Sequence, residues 1–378
     1  MKTKPVIVED DKKKVCLSEN YNYMFDKKTG YFARWGKNKE DDPVFSPLGP
    51  EIADIEISTI CSGVKGVGPC RFCYKSNTSK GDVMDLPTFE KLLSKFPKTL
   101  SQIAFGIGDI DANADMWSIF RHCREKGVIP NVTINGEGLA DYHVNQLSKL
   151  CGAVAVSRYA PNEGVCYDAV DLLTKAGMDQ VNIHMMLSEE TFGECMQLIE
   201  DYQRDPRLAK LNAIVFLALK PKGRGKSMHP LKSLEKYKEL MMAAMESGVG
   251  FGFDSCSAPL FLASIRSLLD DKVGQAMKFL SAYQTGDPDL VYKAMEQLAE
   301  PCESYLFSIY VDVHGRTYPC SFLEGMSESI DILNCENFML DVWYSKPVKE
   351  WRKKLLDTAS GEGCLVEGCR QCPAFDIY

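Results

Sequence analysis

From about residue 51 the sequence alternates short β-branched runs with amphipathic helical stretches, a rhythm that restricts a chain to β-α units laid on a parallel sheet. The spacing predicts strands over 52–59, 102–109, 131–135, 153–157, 180–187 and 213–219. Helices are expected over 86–96, 114–126, 141–150, 165–175, 190–202 and 234–247, several of them ending at a glycine (Gly127, Gly152, Gly177, Gly248), as helix C-termini favour. Six units are too few to close an eight-stranded barrel. The expected fold class is therefore α/β, a partial (β/α)6 TIM-like barrel, with a seventh short run at 249–254 able to extend the sheet.

The flanks differ from this middle. Residues 1–50 open as a charged tail and continue as two aromatic-rich runs around Asp26-Lys-Lys-Thr-Gly30, which reads as a β-hairpin. After Cys256 the pattern changes to two helices, 260–283 and 288–299, followed by a strand–turn–strand reading around 308–319. The last stretch, 361–378, is rich in Cys and Gly with little apolar periodicity, a composition that needs a metal to order it. The expected division is 1–50, a tail and hairpin; 51–255, the partial barrel; and 256–378, a small α+β domain.

Fifteen cysteines in 378 residues exceed what core packing requires, and in a long chain without a secretory pattern they point to metal binding or redox catalysis. No apolar run approaches the roughly 18 residues of a membrane span, and the charged N-terminus does not resemble a signal peptide, so a cytoplasmic protein is expected. A formal net charge of −8 gives no general attraction to nucleic acid or to anionic membranes. With five histidines and no HExxH, a histidine-based zinc hydrolase is not supported.

The first cysteine group, Cys61-Ser-Gly-Val-Lys-Gly-Val-Gly-Pro-Cys70-Arg-Phe-Cys73-Tyr74, directly follows the first core strand, where β-α loops of a barrel carry active-site residues. Three thiolates on a glycine-rich loop can hold three irons of a [4Fe-4S] cube and leave the fourth iron open to an external ligand. A zinc knuckle completed by a fourth Cys is the alternative. The preceding strand, the close Cys70-x2-Cys73 pair and the final Cys-Tyr resemble the loop of the radical S-adenosylmethionine (SAM) superfamily, although the first spacing is C-x8-C where C-x3-C is common.

That resemblance implies further contacts at strand ends. Gly106-Ile-Gly108-Asp109 is similar to the segment that holds the SAM amino group, and Asn135 and Ser157-Arg158 fall where ribose and carboxylate are usually met. The loop 219–225, with Arg224, is similar to one that closes over the adenosine. Taken singly, each such loop is more often a tight turn than a ligand site. Gly223-Arg-Gly-Lys-Ser227 is not a phosphate-binding P-loop, since Lys220 stands where its first Gly is needed.

In the second group Cys302 is followed by Gly315 and Cys320 at the C-x9-15-G-x4-C spacing of the auxiliary-cluster domains called SPASM and twitch. A hairpin turning at His314-Gly315 would bring the two cysteines to its open end. Cys364, Cys369 and Cys372 follow as C-x4-C-x2-C, but the C-x2-C-x5-C-x3-C run of a full SPASM domain is missing. The resemblance implies a shorter, twitch-like domain with one auxiliary [4Fe-4S] cluster, possible ligands being Cys302, Cys320, Cys369 and Cys372, with Cys335 and Cys364 left over and a second cluster or structural zinc left open. Cys256 could be a cluster ligand, a catalytic thiol returning hydrogen to a substrate radical, or a buried packing residue. Cys16, Cys123, Cys151, Cys166 and Cys195 are expected to be structural.

Taken together, the resemblance implies an enzyme that cleaves SAM reductively and abstracts hydrogen from a peptide, so as to crosslink, epimerise or oxidise it, with flavodoxin or ferredoxin as electron donor. A twitch-type dehydrogenase of a small-molecule substrate, a nucleic-acid-modifying enzyme using Lys220, Lys222, Arg224 and Lys226, and a non-catalytic zinc or iron–sulfur protein are the alternatives.

Overall fold

The computed structural model describes residues 5–38, 41, 43–270, 280 and 286–378. The chain forms two compact units, one of Met1–Pro69, Asn77–Val181 and Ser304–Arg352, the other of Cys70–Ser76, Asn182–Glu303 and Lys353–Tyr378. The expected segment 1–50 lies in the first unit, while 51–255 and 256–378 contribute to both.

The first unit begins with a four-stranded antiparallel sheet, β1 (Val6–Glu9), β2 (Lys13–Leu17), β3 (Asn22–Asp26) and β4 (Phe32–Trp35), paired in that order. The β3–β4 hairpin is the expected one; its turn is fixed by the Asp26 carboxylate, which accepts the amides of Lys28 (3.0 Å) and Thr29 (2.9 Å), and by Gly30 at φ 74°. Strands β1 and β2 occupy what reads as a charged tail. Alternation explains them: Lys14 and Cys16 turn inward, and the Lys14 ammonium donates to the Leu100 carbonyl (2.6 Å) while its stem is buried.

The main sheet of this unit carries β5 (Ile52–Glu56), β6 (Gln102–Gly106), β7 (Ile129–Ile134) and β8 (Val154–Ser157), parallel neighbours in chain order. The crossovers are α1 (Leu86–Lys95), α2 (Met116–Glu125) and α3 (Asp141–Leu150), and α4 (Glu163–Lys175) follows β8. Helix α1 starts where Asp85 accepts the Thr88 amide (2.9 Å) with Pro87 in the first turn, and it buries Phe89, Leu92 and Leu93. Complete burial of a side chain such as Phe89 contributes about 2–3 kcal/mol. On the other side of β5 lies β12 (Ser308–Val311), parallel to it with Ser308 opposite Ile52, followed by antiparallel β13 (Arg316–Tyr318) and β14 (Ile330–Asp331). The hairpin expected around 308–319 therefore exists, turning at Gly315 (φ 77°), and it extends the sheet of the first core strand.

A buried polar residue ties this unit's loops to its sheet. Asn113 donates from Nδ2 to the carbonyls of Ile57 and Met84 (both 2.8 Å), and its Oδ1 accepts the Asp115 amide (2.9 Å). Asn113→Ala is expected to destabilise the protein by about 2 kcal/mol, read as a lowered urea midpoint, because it strands two buried carbonyls.

The second unit has the parallel strands β9 (Val181–Leu187), β10 (Ala213–Ala218) and β11 (Phe251–Phe253) in adjacent order. Its helices are α5 (Phe192–Arg204), α6 (Leu234–Ser247), α7 (Ala258–Asp270) and α8 (Pro288–Leu298); the chain's last helix is α9 (Lys346–Asp357). Helix α6 opens on Ser233, whose hydroxyl accepts the Lys236 amide, and closes on Gly248 at φ 77°. Leu262, Ile265 and Leu268 of α7 pack with Val291 and Met295 of α8 and with Val366 and Cys369. The expected helix over 260–283 is seen as α7; its remainder lies largely outside the described residues. Among the described residues no helix is long and apolar enough to cross a membrane.

Candidate active site and cysteine centres

In the first unit Cys61 lies beyond β5 on a segment held by its neighbours. Its amide donates to the Thr78 carbonyl (2.7 Å), and the Asp109 amide to the Ile60 carbonyl (2.9 Å). The Asp109 carboxylate accepts the Ser62 amide at 2.8 Å on one oxygen and Asn135 Nδ2 at 3.3 Å on the other. A side chain at Gly108 would come within 1.7 Å of the Ile60 carbonyl oxygen, so only glycine fits there. Cys61, Gly108, Asp109 and Asn135, each singled out by the sequence, thus belong to one bonded arrangement.

Two residues that sequence reading passed over complete it. Glu137 accepts the Lys65 amide (2.8 Å), and Asn162 Nδ2 donates to the Lys65 carbonyl (2.8 Å). The available signal was the polar run Asn135-Gly-Glu137 at a strand end. Gly106 is exposed at the tip of β6, and Ser157 is half-buried at the tip of β8. Arg158 is buried, with Nε donating to the Tyr167 hydroxyl (3.0 Å) and Nη2 to Glu163 (3.5 Å). Its guanidinium is engaged by α4.

In the second unit Cys70 and Cys73 share a tight turn in which the Cys73 amide donates to the Cys70 carbonyl (3.3 Å). The loop 223–227 wraps this turn. Arg224 donates its backbone amide to the Cys73 carbonyl (3.0 Å) and its Nε to the Cys70 carbonyl (2.9 Å). Gly223 has φ 58°, and a Cβ there would lie 2.4 Å from the Tyr74 carbonyl oxygen and 2.5 Å from that of Cys73. Arg224 was expected over an adenosine; in the structure its guanidinium holds the cysteine turn. Gly223→Ala is expected to lower the iron retained after anaerobic reconstitution several-fold with far-ultraviolet circular dichroism unchanged, since it pushes the loop off the turn.

A second group in this unit surrounds Cys256. Lys220, fully buried, makes an ion pair with Asp254, and the Asp254 carboxylate also accepts the Ser257 amide (3.1 Å), the Ser257 hydroxyl (2.6 Å) and the Ala218 amide (3.2 Å). Burial pulls the Lys220 ammonium down, but Asp254 and Cys256 outweigh it and hold it above the ordinary lysine value. Burial above all raises the Cys256 thiol; Lys220 opposes this, while Asp254, Cys302 and Cys372 add to it by charge repulsion.

The C-terminal segment brings Cys372 to this group. Tyr378 donates its hydroxyl to the Cys256 carbonyl (3.0 Å) and accepts the Cys372 amide (2.9 Å). Arg370 donates to the carbonyls of Cys302 (2.8 Å) and Pro301 (3.1 Å). Arg370 and Tyr378 carried no sequence signal as members of a site, and Lys220 entered only as one of the basic residues of the nucleic-acid alternative.

Cys369, one of the expected ligands, sits among apolar side chains. It is 4% exposed within the apolar cluster of α7 and α8, and burial first, then Cys364 and Glu296 against the opposing Arg370, pushes its thiol up to about 11. Cys364 donates its thiol to the Val366 carbonyl (3.0 Å). Cys320 belongs to the first unit, at the end of β13, as does buried Cys335, whose carbonyl accepts the Lys95 ammonium (2.7 Å). Cys16, Cys123, Cys151, Cys166 and Cys195 are buried in the apolar core.

All fifteen cysteines stand as thiols. Among the described residues, neither unit by itself brings three or more His, Cys, Asp or Glu side chains to the spacing of a metal centre. The donor chemistry nevertheless fits iron–sulfur groups. Cys61, Cys70, Cys73, Cys256, Cys302 and Cys372 are only partly buried and lie outside the apolar core, unlike the packing cysteines, and backbone or cationic donors hold the turns that bear them.

No protein-family model matches the chain, and no curated protein does. Solved structures do. Streptococcus suis SuiB bound to the precursor peptide SuiA matches with a TM-score of 0.65 at 12% identity, over 93% of each chain. SuiB bound to S-adenosylmethionine matches at 0.61 and 13% identity, over 84% of this chain and 72% of that one. The protein anSMEcpe, with bound AdoMet and the Cp18Cys peptide, matches at 0.59 and 13% identity, over 87% and 91%. The parallel β-α units and these likenesses together give the chain the fold that SuiB and anSMEcpe share.

Proposed function

We propose that this protein is a radical SAM enzyme that modifies a peptide substrate. The observation that carries the reading is the Cys70-x2-Cys73 turn gripped by Arg224, on a chain whose fold matches SuiB, a protein seen with both a precursor peptide and S-adenosylmethionine. Cys61, Cys70 and Cys73 would hold the SAM-binding [4Fe-4S] cluster, with Gly106, Gly108, Asp109 and Asn135 as the polar contacts to SAM. When bound, these cofactors together supply hydrogen abstraction from unactivated carbon.

The chain's own residues supply placement. Asp109 anchors the Cys61 loop by accepting the Ser62 amide on one oxygen and Asn135 Nδ2 on the other, and its carboxylate would supply an acceptor for an amino group. Arg224 fixes the backbone under the close cysteine pair by donating to the Cys70 and Cys73 carbonyls. Arg158 orients α4 through Tyr167 and Glu163. A flavodoxin or ferredoxin would deliver the electron, and the unlinked thiols suit a reducing, cytoplasmic setting.

For the auxiliary cluster the grouping of Cys256 with Cys302 and Cys372 favours these three over a set containing Cys369. Cys256 is then a ligand, not a hydrogen-donating thiol. The test is anaerobic reconstitution followed by iron analysis and by assay of 5'-deoxyadenosine from SAM under a strong reductant. About eight irons per chain and 5'-deoxyadenosine formation are expected; a colourless zinc protein, or iron without SAM cleavage, would refute the reading.

A further inference from the structure

The second unit buries a cation where its sheet ends. Lys220 stands two residues beyond β10 and Asp254 directly beyond β11, the strand beside it, and the Asp254 amide donates to the Phe216 carbonyl (3.0 Å) to tie the two strand ends. The lysine side chain is 1% exposed. Taking an ammonium and a carboxylate out of water costs about as much as their attraction returns, so packing alone does not call for this pair.

Asp254 leaves part of the ammonium's capacity to another partner. Its carboxylate is shared with three other donors, the Ser257 amide (3.1 Å), the Ser257 hydroxyl (2.6 Å) and the Ala218 amide (3.2 Å). An ammonium has three N–H donors. Besides the one aimed at Asp254, Lys220 hydrogen-bonds the side chain of Cys256, which lies between Asp254 and Ser257 in the chain.

The sulfur is held against this cation by its own backbone. The Ser257 amide donates to the Asp254 carbonyl (2.9 Å), closing the turn that carries Cys256, and the Cys256 carbonyl accepts the Tyr378 hydroxyl (3.0 Å). Tyr378 also accepts the Cys372 amide (2.9 Å), and Arg370 donates to the Cys302 carbonyl (2.8 Å). The three cysteines assigned above to the auxiliary cluster are thus set by one polar frame, and the buried ammonium meets it at Cys256.

We propose that Lys220 is a positioning residue for the auxiliary cluster: its ammonium donates a hydrogen bond to the Cys256 sulfur and raises the potential at which the cluster takes up an electron, while Asp254 holds the ammonium in place and moderates its charge. This deepens the reading above and rests on its assignment of Cys256 as a ligand. An added electron puts more negative charge on the cluster and its sulfurs, and a buried donor and cation stabilise that form more than the oxidised one. One electron enters from the external reductant; no covalent bond forms or breaks, and the lysine keeps its proton.

Potentiometric titration of the reconstituted full-length protein with dithionite tests this, read by electron paramagnetic resonance on the signal that persists in the Cys70→Ala/Cys73→Ala variant. At a fixed poise Lys220→Met should lower the ratio of reduced to oxidised auxiliary cluster about tenfold, a midpoint fall of about 59 mV for one electron. Lys220→Arg keeps the charge and a donor, and its ratio should stay within about threefold of the unaltered protein. Asp254→Asn removes the competing anion and should move the ratio the opposite way, by about tenfold. A merely structural ion pair would leave these midpoints alone, so an unchanged potential in Lys220→Met or in Asp254→Asn overturns the inference. If Lys220→Met assembles no cluster, the other two decide: a raised midpoint in Asp254→Asn with a retained one in Lys220→Arg supports the inference, and any other pair of results overturns it. The two readings fail separately. Potential shifts in a protein that cleaves no SAM would keep the charge effect and discard the radical chemistry, whereas SAM cleavage by a protein whose auxiliary potential ignores Lys220 would do the reverse. A protein that holds no second cluster loses the ligand assignment and this inference together.

Discussion

Exchanging Cys70 and Cys73 together for alanine is expected to halve the iron bound after reconstitution, from about eight to about four per chain, and to lower 5'-deoxyadenosine formation at least a hundredfold. Both thiols sit on one turn, and on the proposed ligand set their loss would remove two of three sulfur donors to the SAM-binding cluster while the remaining cysteines keep their places. The Arg224 grip on the Cys70 and Cys73 carbonyls involves backbone oxygens, which alanine retains. Circular dichroism should therefore change little. A double variant that still cleaved SAM at a tenth of the original rate would place the reaction elsewhere in the chain.

The second large effect is on stability. Lys220→Met leaves the Asp254 carboxylate without its cation in a site where the lysine side chain is 1% exposed, and removal of one partner from such a pair costs about 3 kcal/mol. Urea unfolding should show the midpoint drop with an unchanged slope. Asp254→Asn in the Lys220→Met background should recover part of the loss, because the stranded charge is then gone while the amide oxygen can still accept the amides of Ser257 and Ala218. The Lys220 value is raised on folding, so its stabilisation is complete below the unfolded lysine value of about 10.4 and is lost only as pH rises through the folded value. The difference between variants should thus stay constant across neutral pH.

The parallel β-α frame was legible because its strands are Val- and Ile-rich runs and its helices alternate apolar faces, as at Ile103–Phe105 and Phe89–Leu92–Leu93. Strands β1 and β2 were not, since the short Val6–Val8 run lies between charged residues, β2 opens on two lysines, and only the inward turn of Lys14 and Cys16 identifies the pairing. The cysteine loop announced itself by spacing. What holds it did not: Arg224 is some 150 residues from Cys70, and no local pattern marks a guanidinium that will meet a carbonyl oxygen. Some 116 residues separate Cys256 from Cys372. A close Cys369-x2-Cys372 pair suggested joint ligation, whereas Val366 and the faces of α7 and α8 draw Cys369 into apolar packing and leave Cys372 to Tyr378 and Cys256.

The parallel pairing of Ser308–Val311 with Ile52–Glu56 also bears on synthesis. A ribosome exposes the earlier strand long before the later one, so the nascent chain carries an uncovered hydrogen-bonding edge through most of translation. Such an edge recruits other strands, and closure across some 250 residues is slow. Chaperone dependence and inclusion-body formation at high expression rates are the expected cost, easing when translation is slowed or when the Ser304–Arg352 segment is supplied in trans.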